Sequence, residues 1–211
     1  MRVRPLSPNA ADWHQIQQSA AFWDVNPATL DPERHRVWIV HRILQFGSWD
    51  DWRALFRLYE AAQIQDALGH RGLPAHIRHF WQTYFHEEDP LHSIPPAARR
   101  QGASSVPEWA AHTCHAIANR GARKDFIDLY ALLQSGWSLT DILDAVAVQA
   151  PPLNRAHLLR SLVDFTDAEH EPDPRLLRPW SWLEIRQTIE RQVYAYLRHT
   201  LPPPGPRGPR L

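Results

Sequence analysis

Lysine is almost missing from this chain: of its 23 Lys and Arg residues only Lys124 is a lysine. With 23 Asp and Glu the formal charge is zero and the pI about 7.3. No global basic field draws the chain to nucleic acid, although a local arginine patch stays open. A single cysteine, Cys114, excludes an internal disulfide and suits a reducing compartment. The start, MRVRPLSPNAADW, has no apolar signal core. No run reaches the ~18 apolar residues a membrane span needs. The expectation is a cytoplasmic protein with no membrane contact. Glycine is scarce, at 8 residues, and β-branched runs are short. A strand-rich fold is therefore disfavoured.

What is present repeats near 3.6 residues, the signature of helices. In LDPERHRVWIVHRILQFG, Asp31 caps, Pro32 opens the first turn, Val37, Val40 and Leu44 share a stripe, and Gly47 stops it. SWDDWRALFRLYEAAQIQDALGHRG follows as helix, with Ser48 and Asp51 spaced as a capping box. Its apolar face is Trp52, Leu55, Phe56 and Tyr59. A further helix starts after Pro74. Residues 86–107, rich in proline and small polar residues, read as a joint. Helices then resume: PEWAAHTCHAIANRG up to Gly121, ARKDFIDLYALLQSG up to Gly136, SLTDILDAVAVQA capped by Ser138, and LNRAHLLRSLVDF. TDAEHEPDPRLLRP reads as an acidic loop. In the last helix the stripe is Leu183 or Ile185, then Ile189, Val193 and Leu197. The expected fold is all-α: two small helical bundles joined by a Pro-rich loop. Its parts are an N-terminal extension (1–20), a first bundle (21–88), a linker (89–105), a second bundle (106–199) and a disordered tail (200–211).

The lone lysine sits in NRGARKDFIDLY, residues 119–130. On a helical wheel Phe126, Leu129, Tyr130 and Leu133 face one side, and Asp125 lies on a flank. Lys124 and Asp128, four apart, lie opposite and can pair. Two readings stand together. One is a surface ion pair worth a few tenths of a kcal/mol. The other is a compact charge delivered to a phosphate, for which lysine differs from arginine.

The stretch AIANRGARKDFIDLYALLQSGWSLTDIL, continuing through LLRSLVDFTDAEHEPDPRLLRPWSWLEI, resembles the C-terminal helical part of AbiEii-type nucleotidyltransferases. These are toxins of bacterial abortive-infection and type IV toxin–antitoxin systems. The resemblance covers about residues 106–192. It implies that Lys124, Asp125 and Asp128 match catalytic positions, and that Arg120, Arg123 and Lys124 border a nucleotide. The family's N-terminal sheet, with a Gly-Ser turn and magnesium-binding carboxylates, has no counterpart upstream. Thr113 stands where the family carries a further lysine. FGSWDDW, residues 46–52, holds Gly-Ser and two aspartates, but reads as a helix stop and a cap. The first half resembles a small uncharacterised helical domain encoded beside such genes, through its FWD-V start and FW-x-x-Y end. That resemblance implies a partner or antitoxin-like role.

Other clusters carry weaker chemistry. HEEDPLH, with His86, Glu87, Glu88, Asp89 and His92, has metal-ligand types in a Pro-bearing segment. His112 and His115 flank Cys114, which reads as a packed residue rather than a nucleophile. Asp164, Asp167, Glu169, Glu171 and Asp173 form an acidic run that reads as a solvated loop. Of Trp23, Trp38, Trp49, Trp52 and Trp81, most belong to a core. Any left exposed beside arginine would suit a protein interface.

The expected function is a non-catalytic interaction protein of a toxin–antitoxin or phage-defence locus, with a protein partner (a nucleotidyltransferase or antitoxin chain), no metal and no cofactor. The alternative is a nucleotidyltransferase component, completed by a partner chain and using Mg²⁺ and NTP. A decaying fusion gene is a third reading.

Overall fold

The computed structural model describes residues 8–86, 106–149, 153–172, 174 and 180–205. Among them there is no strand, so the all-α expectation holds. The chain divides into two compact units: Met1–Glu88 with Arg198–Leu211, and Asp89–Leu197. The expected linker, 89–105, lies outside the described residues.

The first unit contains α1 (Pro8–Gln17), two 3-10 turns (Ala20–Phe22 and Pro27–Thr29), α2 (Arg36–Phe46), α3 (Trp49–Leu58), α4 (Ala61–Gly69) and α5 (Ala75–His86). Its core is aromatic. Trp52 and Trp81, both fully buried, meet edge to face at 4.7 Å, and Phe80 and Phe56 pack beside them. Trp52 Nε1 donates to the Ile43 carbonyl at 3.1 Å, which supplies the partner a buried indole needs. The same carbonyl closes α2: a Cβ on Gly47 would stand 2.5 Å from it, so only glycine fits there.

Four boundaries moved from the sequence reading. Asp31 accepts the Glu33 and Arg34 N–H groups and so caps a turn, and α2 itself starts only at Arg36. The stretch from Trp49 breaks at Tyr59 and Glu60, which are extended. Gln63 Oε1 accepts the Glu60 N–H and starts α4 afresh, while the Tyr59 hydroxyl donates to the Pro32 carbonyl. Residues 8–20 are no extension: Ile16 is buried, the Arg57 Nε–H donates to Asp12, and Gln15 reaches Asp51. These anchors are mostly polar, so hydrophobic periodicity does not report them. The end of the chain is packed as far as Gly205, whose N–H donates to the Phe56 carbonyl, with Leu201 buried. Residues 206–211 lie outside the described set.

The second unit contains α6 (Val106–Arg120), α7 (Arg123–Gln134), α8 (Leu139–Gln149), α9 (Arg155–Ser161), α10 (Thr166–Glu169) and most of α11 (Trp182–Thr200). Helix α6 packs against α7, α8 and α9. Cys114, Ile117, Phe126, Leu129, Ile142, Leu159, Ile189 and Val193 build the core. Burying each large apolar side chain contributes roughly 1.5–3 kcal/mol before chain entropy is counted. Ser138 and Asp141 cap α8 reciprocally. On α11 the stripe uses Ile185, while Leu183 is exposed. The expected acidic loop contains one helical turn, α10, opened by Asp164, which accepts from the Thr166 N–H and hydroxyl.

Candidate functional site

The N-terminus of α7 carries the residues singled out by the KDF-x-DLY pattern. Asp125, at the third helical position, is buried and accepts a two-pronged contact from Arg120, at 2.8 and 2.7 Å. A planar guanidinium fits a carboxylate in this way. Arg123 is buried too. Its Nε–H donates to the Ala168 carbonyl at 2.9 Å, and its guanidinium lies 4.8 Å from the centre of the Trp182 ring. Its backbone N–H donates to Glu171 Oε2 at 2.8 Å. Glu171, from the acidic run, thus places a negative charge on the positive end of α7. The run is partly structural: Glu169 also pairs with Arg186. Asp173 lies outside the described residues.

Lys124 points to solvent, and Asp128 is half-buried one turn on. Desolvation, reinforced by the Asp125 charge, pushes the Asp128 carboxyl above its ordinary value, and Lys124 partly offsets this. Of the five residues implied by the resemblance, Arg120, Arg123 and Asp125 are therefore committed to the fold, whereas Lys124 and Asp128 remain on an accessible face. Asp51 is committed likewise. It is buried and accepts from the Ser48 N–H, the Ser19 hydroxyl and Gln15 Nε2, so FGSWDDW is a helix cap and a tie to α1. Burial pushes the Cys114 thiol up to about 12, and His112 and His115 are exposed. Among the described residues no three His, Cys, Asp or Glu side chains gather to hold a metal ion. The His86 Nδ1–H donates to the Gln82 carbonyl of its own helix, and Glu87, Glu88, Asp89 and His92 lie outside the described residues.

A second site lies wholly in the first unit. Trp52 and Trp81 are core, but Trp23 is 64% and Trp38 37% exposed, and Phe46 is 41% exposed. Arg42 joins them. Its guanidinium lies 4.1 Å from the centre of the Trp23 ring and 5.4 Å from those of Trp38 and Phe46, and it pairs with Asp24. Trp23 and Phe46 touch edge to face at 5.0 Å. This layer borders an open groove of about 570 Å³ that continues past His41 to Arg34, Arg71 and Gly72. His41 is buried, with Nε2 2.7 Å from the Ala67 carbonyl. Gly72 adopts φ +112°, and even its missing Cβ would stand 3.7 Å from His41 Nδ1. A side chain there would strain the backbone, although a Cβ itself would only reach ordinary contact with His41. Sequence flagged the tryptophans as a set; only the fold sorts the exposed from the buried.

Residues 18–68 match a family of unknown function, DUF6922. The groove from Arg34 to Phe46 falls inside that segment, and Arg71 and Gly72 lie just beyond it. The chain is 34% identical over 85 residues to the uncharacterized protein aq_aa25 of Aquifex aeolicus (strain VF5). The match spans 40% of this chain and 40% of that protein. No solved structure matches. No helix among the described residues is long and apolar enough to cross a membrane.

Proposed function

We propose that this chain is a non-catalytic interaction protein of a bacterial toxin–antitoxin or abortive-infection locus. Its first unit docks a protein partner, and its second carries an AbiEii-like helical segment. The observation that carries the reading is the pair of exposed tryptophans, Trp23 and Trp38, stacked on a mostly covered Arg42 beside the groove. Tryptophan is among the residues that dominate the energetics of protein interfaces, and here two indole rings meet solvent around an arginine that holds them. The commitment of Asp125 to Arg120 adds support. On the resemblance Asp125 matches a catalytic position, and a carboxylate held by two Arg120 contacts is not free for that work. The locus assignment rests on the resemblance of residues 106–192. The test is incubation of the purified protein with labelled NTPs, Mg²⁺ and tRNA. No transfer of label is expected; transfer abolished by Lys124→Ala refutes the reading.

A second reading draws on Lys124 and Asp128, which share an accessible face of α7. They would complete a nucleotide site on another chain. That reading requires a stable complex with a nucleotidyltransferase carrying the Gly-Ser turn, and weaker nucleotide binding in the complex after Asp128→Asn.

A further inference from the structure

The docking groove has a chemistry of its own. Among its lining residues are three arginines, 34, 42 and 71, and no carboxylate. Arg42 is neutralised by Asp24. Arg34 and Arg71 are exposed and, among the described residues, form no ion pair, although the Asp31 carboxylate lies near enough to Arg34 to offset part of its charge. Cations on a concave, half-enclosed surface focus their field into it and select the opposite charge. At the floor, His41 has one ring nitrogen against the Ala67 carbonyl, leaving Nδ1 on the Gly72 side. At the mouth, Trp38 and Phe46 offer apolar area. One end of the groove thus takes carboxylates, and the other takes a hydrocarbon side chain.

We infer that the groove binds an acidic peptide segment bearing an apolar anchor, with Arg34 and Arg71 facing its carboxylates and Trp38 and Phe46 its anchor. The inference rests on the docking reading above and adds the partner's chemistry. Nucleic acid fits less well. A phosphate backbone needs a track of many cations, whereas this groove offers two exposed ones, Arg34 and Arg71, on a chain of zero net charge.

The experiment is fluorescence anisotropy with a fluorescein-labelled peptide Glu-Leu-Glu-Glu-Leu-Glu. Its counterparts carry Gln or Lys in place of every Glu, and a labelled oligothymidylate is the nucleic-acid probe. The full chain should bind the acidic peptide alone, more weakly as salt rises. Arg34→Glu with Arg71→Glu should weaken that binding at least about tenfold, the effect of losing two close charge pairs. The same variant should acquire binding to the Lys peptide. Trp38→Ala should weaken binding of the acidic peptide. Arg34→Gln with Arg71→Gln serves if the charge reversal disturbs the fold, and must show the same loss. Equal binding of the Gln peptide, sensitive to Trp38→Ala, overturns the acidic partner and leaves the docking reading standing. Arginine-dependent binding of oligothymidylate without the peptide overturns it in favour of nucleic acid. Binding of no probe also overturns it. Label transfer from NTP sinks the functional reading independently of all these.

Discussion

Arg123 and Lys124 are adjacent cations in one motif, and removing each should have very different consequences. Arg123→Ala deletes a charged hydrogen bond to the Ala168 carbonyl at 2.9 Å and a guanidinium face over Trp182 at 4.8 Å. A hydrogen bond from a charged donor contributes about 1.5–3 kcal/mol. A desolvated cation–π contact contributes about 2 kcal/mol. The carbonyl left behind is buried among packed side chains and costs more still. With allowance for overlap, Arg123→Ala should destabilise the second unit by about 3–4 kcal/mol. Arg123→Lys should recover little, because an ammonium neither forks nor stacks as a guanidinium does. Lys124→Ala removes an exposed side chain whose partner among the described residues is the through-space charge of Asp128, and should cost under about 0.5 kcal/mol. Urea unfolding followed by circular dichroism measures all three. Equal losses for Arg123→Ala and Lys124→Ala would refute the assignment of Arg123 to the fold.

Three further outcomes follow from the same packing. Asp51→Ala removes the acceptor for Ser48, Ser19 and Gln15, and should cost roughly 3 kcal/mol in urea midpoint shifts; a loss under about 1 kcal/mol would contradict the buried tie. Asp128 has a folded pKa above its unfolded one, so the native state holds that proton more tightly and stability falls as pH rises through the interval between them. Asp128→Asn should therefore raise the melting temperature at pH 7, and the gain should vanish below the ordinary aspartate pKa of about 3.9. Cys114 behaves alike at the other end of the scale: an unfolded thiol ionises near 9, but the folded one near 12. Stability should fall by about 1.4 kcal/mol per pH unit above 9, and this component should disappear in Cys114→Ala, as pH-dependent unfolding will record.

Helix content was readable because apolar residues recur with the helical period and because Gly47, Gly121, Gly136, Ser48 and Ser138 punctuate it. The capping box at Ser48 was legible as a two-residue pattern and Ser138 as a cap; both are formed, and at Ser138 the structure adds the reciprocal bond to Asp141. What escaped is made of contacts distant in sequence. Helix α1 is held by Asp12 to Arg57 and Gln15 to Asp51, pairs more than 30 residues apart that no window along the chain can register. The break after Tyr59 depends on Pro32, 27 positions away. The α7 motif was visible as a pattern. Its division into committed and accessible residues was not, because Ala168 and Glu171, more than 40 positions downstream, decide it. The groove was legible only as an abundance of tryptophan and arginine. Sequence cannot tell Trp38, which meets solvent, from Trp52, which is sealed, since both occupy apolar helical positions.

The docking account is tested most directly by following the tryptophan indole N–H signals in ¹⁵N-labelled protein, assigned by single substitutions, as the acidic peptide is titrated in. The Trp23 and Trp38 signals should shift together and saturate, while those of Trp52 and Trp81 stay in place. Movement confined to Trp109 or Trp182 in the second unit, or no movement at saturating peptide, would contradict the account.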